Sequence, residues 1–210
     1  PEGGDPAVVM MSHFIDVIKA LKIEKPLIMG HSMGAATALI VAGLEPDLPK
    51  AILLEDPPVV WKPFEPPKPE PKEDEKRPTM LDWIESLRSK TREEIIADGQ
   101  KQSPNWPEDE FGPWADSKLR FADHDPNKPA FSRNPRPEVS DIVAKVSCPT
   151  LLIRADHEKG AIVKEDDLPL FKELVPQAVV RQIPEVGHNI RRENRDLFLG
   201  VIQEFIAGLE

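Results

Sequence analysis

Apolar positions along this chain fall into two kinds of run. Met11, Ile15, Ile18 and Leu21 recur at helical spacing behind the start signal Asp5-Pro6, which predicts an amphipathic helix over 7–22. Pro26-Leu27-Ile28-Met29 and Ala51-Ile52-Leu53-Leu54 are short continuous apolar runs, the pattern of strands covered on both faces. Between them, Met33 to Leu44 is rich in Ala and Gly, which predicts a helix lying close on a sheet and stopping near Gly43. The alternation resumes late in the chain. It predicts a strand over 149–155, a short helix from Leu168 to Leu174, a strand over 178–183 and a last helix from Glu193 to Leu209. Leu197, Val201, Ile202 and Phe205 form the expected buried stripe of that last helix. Strands and helices taking turns in this way predict an α/β fold on a mostly parallel sheet with flanking helices.

The middle of the chain breaks the pattern. After Asp56-Pro57-Pro58, the Pro/Glu/Lys stretch from Pro63 to Lys72 cannot form a helix or a central strand and should be extended and solvated. Helical patterning returns from Thr79 to Arg88, again after Thr91, where Glu94 completes a capping box, and over Glu108 to Ala122. All four tryptophans, Trp61, Trp83, Trp106 and Trp114, fall here. The predicted organisation is a core made from 1–56 and 148–210, with a helical cap inserted at 57–147.

Composition narrows the function classes. A chain of 210 residues can bury a real core, and 40% apolar content fits a globular protein. The formal charge of −10, with no Lys/Arg-rich run, argues against nucleic acid as a partner. No apolar run is long enough to span a bilayer, so no membrane partner is expected. A single cysteine, Cys148, cannot form an internal disulfide and favours a reducing, cytoplasmic setting; beside Pro149 it reads as a small apolar filler. His13, His124 and His157 read as solvated or locally satisfied, and no histidine pair has metal spacing, so neither metal nor cofactor is expected. Arg191 and Arg192 read as exposed charges near a helix start.

Gly30-His31-Ser32-Met33-Gly34 has the form G-x-S-x-G, placed where an apolar strand meets a helix of small residues. That context presents a serine on a sharp, strained corner with its hydroxyl exposed. Downstream come the strand Pro149 to Ala155 with an acidic turn after it, and Gly187-His188-Asn189-Ile190-Arg191-Arg192-Glu193 before the last helix. In these three motifs, and in their order of serine, acid, histidine, the chain resembles the α/β-hydrolase family over nearly its whole length. The resemblance implies Ser32 as nucleophile, His188 as its base, Met33 as an oxyanion donor through its N–H, and a carboxylate that holds the imidazole. His31 would line the pocket or support the nucleophile.

Three carboxylates compete for the role of acid. Family spacing counted from Ala155 reaches Glu158, the first choice. Asp156 stands in the same turn and takes its place if the register shifts. Asp56, after the earlier strand, is the third, since some relatives carry the acid there. Relatives also carry strands, and an HG-type loop giving a second oxyanion donor, ahead of the helix that precedes the elbow. Either an N-terminal segment of ~60 residues or more completes the sheet ahead of Pro1, or this chain builds the oxyanion hole differently. The expected activity is hydrolysis of small to medium, largely apolar carboxylic esters through an acyl-enzyme. Carbon-carbon bond hydrolysis, lactone opening and perhydrolysis use the same triad, and a ligand-binding receptor or inactive fragment is the reading from another class.

Overall fold

Ala51–Glu55 reads AILLE, and all five residues are buried, as only a strand covered on both faces can be. The computed structural model describes residues 6–62, 80–123 and 139–209. Ala51–Glu55 is β2 of a parallel sheet that also contains β1 (Leu27–His31), β3 (Thr150–Arg154) and β4 (Val179–Gln182), in the spatial order β1-β2-β3-β4. In register, His31 lies opposite Glu55, Glu55 opposite Ile153, and Arg154 opposite Gln182, so all four strands end at one edge. In open α/β sheets ligands bind at this edge, and Ser32, Asp56 and Asp156 lie in the turns that leave it.

Each face of the sheet has its own core. Ile28, Ile52, Leu54 and Leu152 point into a cluster with Met11, Ile15 and Ile18 of α1 (Pro6–Ala20) and with Leu39 and Val41 of α2 (Met33–Leu44). The same cluster holds Val143 of α6 (Ser140–Val143) and Phe171 of α7 (Leu168–Leu174). Leu53, Leu151 and Ile153 point the other way, onto Ile190 of α8 (Ile190–Glu193) and Phe198 of α9 (Arg195–Ala207). Among the described residues, the outer edge of β1 has no neighbouring strand, and Leu27 and Met29 are each 44% exposed.

Three local expectations are corrected. Leu21 lies just past the end of α1 and is exposed rather than part of its buried face. Gly43 does not stop α2; it sits within the helix, where an added Cβ would lie 2.1 Å from the carbonyl oxygen of Ile142. Its absence lets α6 approach. The last helix is interrupted at Asn194, whose side chain accepts from the Leu197 N–H and starts α9 afresh. That sets its phase: Phe198 is buried with Val201, Ile202 and Phe205 packed beside it, while Leu197 is 50% exposed.

The chain divides into two compact units. Residues 6–62 and 139–209 form the sheet unit, so 57–62 and 139–147 belong to the core and not to the insertion. Trp61 is fully buried there, its indole N–H donating to the Asp167 carbonyl at 3.0 Å and its ring 4.7 Å from that of Phe171. The second unit contains α3 (Met80–Arg88), α4 (Arg92–Gln102) and α5 (Glu108–Ala122) around Leu87, Ile95, Ala115 and Ala122. Thr91 and Glu94 form the predicted capping box on α4. The stretch Pro63 to Lys72 and His124 lie outside the described residues. Among those described, no helix is long and apolar enough to cross a membrane.

Candidate active site

The elbow at Ser32 follows from sequence and sterics. A Cβ at Gly30 would lie 2.2 Å from the backbone of Gly34, so the strand can run this tightly into α2 only with glycine there. Gly34 itself has open space at that position. The turn places Ser32 at φ 54, ψ −122, a left-handed conformation that a non-glycine residue adopts at a cost of ~1–3 kcal/mol. Its carbonyl receives the N–H groups of Ala35 and Ala36, and its own N–H donates to the Glu55 carbonyl on β2 at 2.9 Å. The Ser32 hydroxyl makes no hydrogen bond among the described residues. Met33 is the first residue of α2, so its N–H has no carbonyl within the helix to meet and lies at the positive end of the helix dipole.

His188 is held by Asp56. Its Nδ1 lies 2.7 Å from Asp56 Oδ2, and the Asp56 side chain is fully buried. That carboxylate also accepts the N–H groups of Ile162 at 2.8 Å and Val163 at 3.0 Å. A carboxylate accepting at Nδ1 fixes the proton there and leaves Nε2 as the free base. Asp56 follows β2 directly and Ser32 follows β1 directly; with His31 opposite Glu55 in register, the two turns are neighbours.

The structure brings neither Glu158 nor Asp156 into hydrogen bonding with His188. Glu158 is exposed in a short 3-10 turn (His157–Lys159), and the imidazole has its carboxylate contact with Asp56 instead. Asp156 accepts from Gln182 Nε2 and from the Glu185 N–H, each at 2.8 Å, which ties β3 to the turn after β4. The Glu185 N–H, with Gln182, holds its carboxyl below the usual range. The loop expected to supply the acid instead supplies two backbone donors to Asp56. The signal for Asp56 was a polar pair, Glu55-Asp56, closing an otherwise apolar buried strand.

His31 is close to His188. Its Nε2 donates to the His188 carbonyl at 2.9 Å, and the ring centroids are 4.5 Å apart. Burial holds its imidazole below the ordinary value, against the pull of Glu55 and of the hydrogen bond to the His188 carbonyl, with smaller downward pushes from the charges of Arg191 and His188. Arg191 is not a free surface charge: its Nη1 lies 3.0 Å from Glu55 Oε2 and its N–H 3.1 Å from Oε1. The Glu55–Arg191 pair was not foreseen, and Glu55 at a buried strand end was its only trace. Arg192 Nη1 reaches Asn189 Oδ1 at 3.3 Å. His157 Nδ1 is satisfied by the Ala161 carbonyl, His13 is exposed, and Cys148 is buried, which pushes its thiol up. Among the described residues, no group of three or more His, Cys, Asp or Glu side chains is arranged to hold a metal ion.

A family model described as "Alpha/beta hydrolase family" matches residues 2–200. The chain belongs to the α/β hydrolase family. Among solved structures, this α/β hydrolase is similar to E-2-(acetamidomethylene)succinate hydrolase, with 19% identity and a TM-score of 0.66 over 99% of this chain and 76% of that one. It is also similar to an N-acyl homoserine lactone degrading enzyme, with 17% identity and a TM-score of 0.63 over 98% and 76%. A thermophilic esterase from Thermogutta terrifontis matches with 20% identity and a TM-score of 0.58 over 98% and 74%. Likenesses at these identities establish the fold. No curated protein sequence matches the chain at a significant level.

Proposed function

We propose that this α/β hydrolase cleaves small to medium, largely apolar carboxylic esters through an acyl-enzyme on Ser32. The observation that carries the reading is the His188–Asp56 hydrogen bond beside a serine held at positive φ. Ser32 Oγ attacks the acyl carbon, and His188 Nε2 takes its proton. The resulting oxyanion is met by the Met33 N–H. The tetrahedral intermediate collapses with loss of the alkoxide, which receives the proton from His188. Water, deprotonated by the same imidazole, then releases the acid and restores Ser32. Asp56 keeps the imidazole in the required tautomer and stabilises its charged form. Serine–histidine contacts tighten when substrate binds, so the unbonded hydroxyl is compatible with this role.

An apolar substrate is supported by Met33, whose side chain is 49% exposed next to the nucleophile. The reading includes a further polypeptide segment along the open edge of β1 that supplies the second oxyanion donor, and a cytoplasmic setting, with which a buried free Cys148 agrees. Lactone opening is the same attack on a cyclic ester, and the likeness to a lactone-degrading enzyme puts lactones in the test panel. In the full-length protein, Ser32→Ala should lower hydrolysis of a chromogenic short-chain ester by at least ~10³-fold and abolish fluorophosphonate labelling. Full turnover in that variant would refute the assignment, and tight ligand capture without labelling of the native protein would favour a receptor.

A further inference from the structure

The loop that carries His188 is tied down from three directions. From its own helix, the Glu193 carboxylate accepts the N–H of Gly187 at 2.7 Å and of Asn189 at 3.2 Å. From the elbow, His31 Nε2 donates to the His188 carbonyl at 2.9 Å. From β2, Glu55 accepts both the Arg191 N–H at 3.1 Å and its guanidinium at 3.0 Å. The third tie differs from the others in where it starts. Glu55 precedes Asp56, so two successive residues of one strand end grip one loop, Asp56 at the imidazole and Glu55 three residues further on.

Glu55 is an unusual choice for packing alone. Its carboxylate is fully buried, and burying a charge is expensive enough that an apolar pair would hold the two elements at least as well. A carboxylate does one thing an apolar side chain cannot: it binds the main chain of the loop as well as the side chain, which sets its position along the strand direction. Its own backbone carbonyl meanwhile receives the Ser32 N–H. Glu55 therefore contacts the nucleophile's turn through its main chain and the base's loop through its side chain.

We propose that Glu55 and Arg191 are positioning residues for the reaction assigned to Ser32, fixing the height of the His188 imidazole over the nucleophile while leaving substrate binding untouched. This rests on the triad reading above, and its test has one readout that needs no turnover. Supporting contacts of this kind are worth ~10–100-fold in activity, because a displacement of about 1 Å in a reacting group is costly. In the full-length protein, Glu55→Gln should lower kcat for a short-chain ester by ~10–100-fold with KM within about twofold. Arg191→Lys, which keeps the charge but loses the planar fork, should fall between Glu55→Gln and the native protein. In parallel, the His188 Nδ1 proton held against Asp56 should give a slowly exchanging low-field NMR resonance in the native protein and a broadened or absent one in Glu55→Gln.

A folded Glu55→Gln protein with native kcat and a native resonance overturns the proposal. So does a lowered Tm with both readouts intact, since that makes the pair structural only. If Glu55→Gln does not fold, Arg191→Lys decides by the same two readouts. If the native protein shows the resonance but hydrolyses no ester, the ester reading fails, and the resonance in the two variants still settles whether the pair positions His188.

Discussion

Asp56 and Asp156 leave neighbouring strands at the same edge of one sheet, and the protein uses them differently. Asp56 has φ 40, is fully buried and takes three donors, from Ile162, Val163 and His188. Asp156 has φ −82, ψ 116, an ordinary extended conformation, and among the described residues its carboxylate takes donors only from Gln182 and Glu185. Ser32 shares the strained conformation of Asp56, at φ 54. Positive φ is thus shared by Ser32 and Asp56 and absent at Asp156; among the other described non-glycine residues it recurs at Lys22, Lys25 and Glu185. Positive φ turns a side chain out of the strand direction and across the end of the sheet, which suits the nucleophile and the orienting acid proposed above.

The most severe way to break this comparison is to remove each charge in turn. Asp56→Asn keeps the shape but offers an amide that can donate to Nδ1 and hold the wrong tautomer, so kcat for ester hydrolysis should fall by ~10³–10⁴-fold. Asp156→Asn and Glu158→Gln should leave kcat within about twofold, because neither carboxylate bonds the His188 imidazole. Steady-state kinetics on the three variants ranks the acids. A larger loss for Glu158→Gln than for Asp56→Asn would restore the assignment that spacing alone favours.

Much of this arrangement is legible in the residues, and the failures share a cause. The spans Met33–Leu44, Glu108–Ala122 and Leu168–Leu174 follow from periodicity and caps, which are local. Ser32 and His188 are also local signals, a glycine-flanked turn and a Gly-His-Asn loop before a helix. The partner of His188 is not local. It lies 132 residues away and depends on two backbone N–H groups, Ile162 and Val163, whose direction no side-chain pattern encodes. Asp56 is among the three candidate acids in the sequence, but the Glu55–Arg191 pair, spanning 136 residues, leaves no trace there except that a carboxylate at the end of a buried strand must find a partner. The buried stripe of α9 departs at one position only: Val201, Ile202 and Phe205 pack as expected, but the helix starts afresh at Asn194 and Phe198, not Leu197, is the buried residue of its first turn.

Replacing the strained residues by glycine and by alanine gives a milder probe of the same contrast. At Ser32, alanine keeps the cost of the left-handed backbone and glycine removes it, so Ser32→Gly should be more stable than Ser32→Ala by ~1 kcal/mol in urea unfolding. At Asp156 the backbone is relaxed, and glycine brings only a more flexible unfolded chain. There the order should reverse, with Asp156→Gly less stable than Asp156→Ala. The same order at both positions would mean that the elbow conformation carries no stored cost.

The smallest expected effect concerns charge on the Ser32 and Asp56 side of the comparison, where His31 is packed beside His188. Burial holds the His31 imidazole below its ordinary 6.5, so the unfolded chain takes up a proton before the folded one does. The contribution of neutral His31 is therefore complete above about pH 6.5 and is lost progressively as pH falls from there through the folded value. His31→Gln keeps a donor for the His188 carbonyl but does not titrate. Between pH 7.5 and 5.5 the Tm of the native protein should fall more steeply than that of His31→Gln. Parallel native and His31→Gln slopes would show that the two rings tolerate a shared charge at 4.5 Å, and that the elbow is less desolvated than its burial implies.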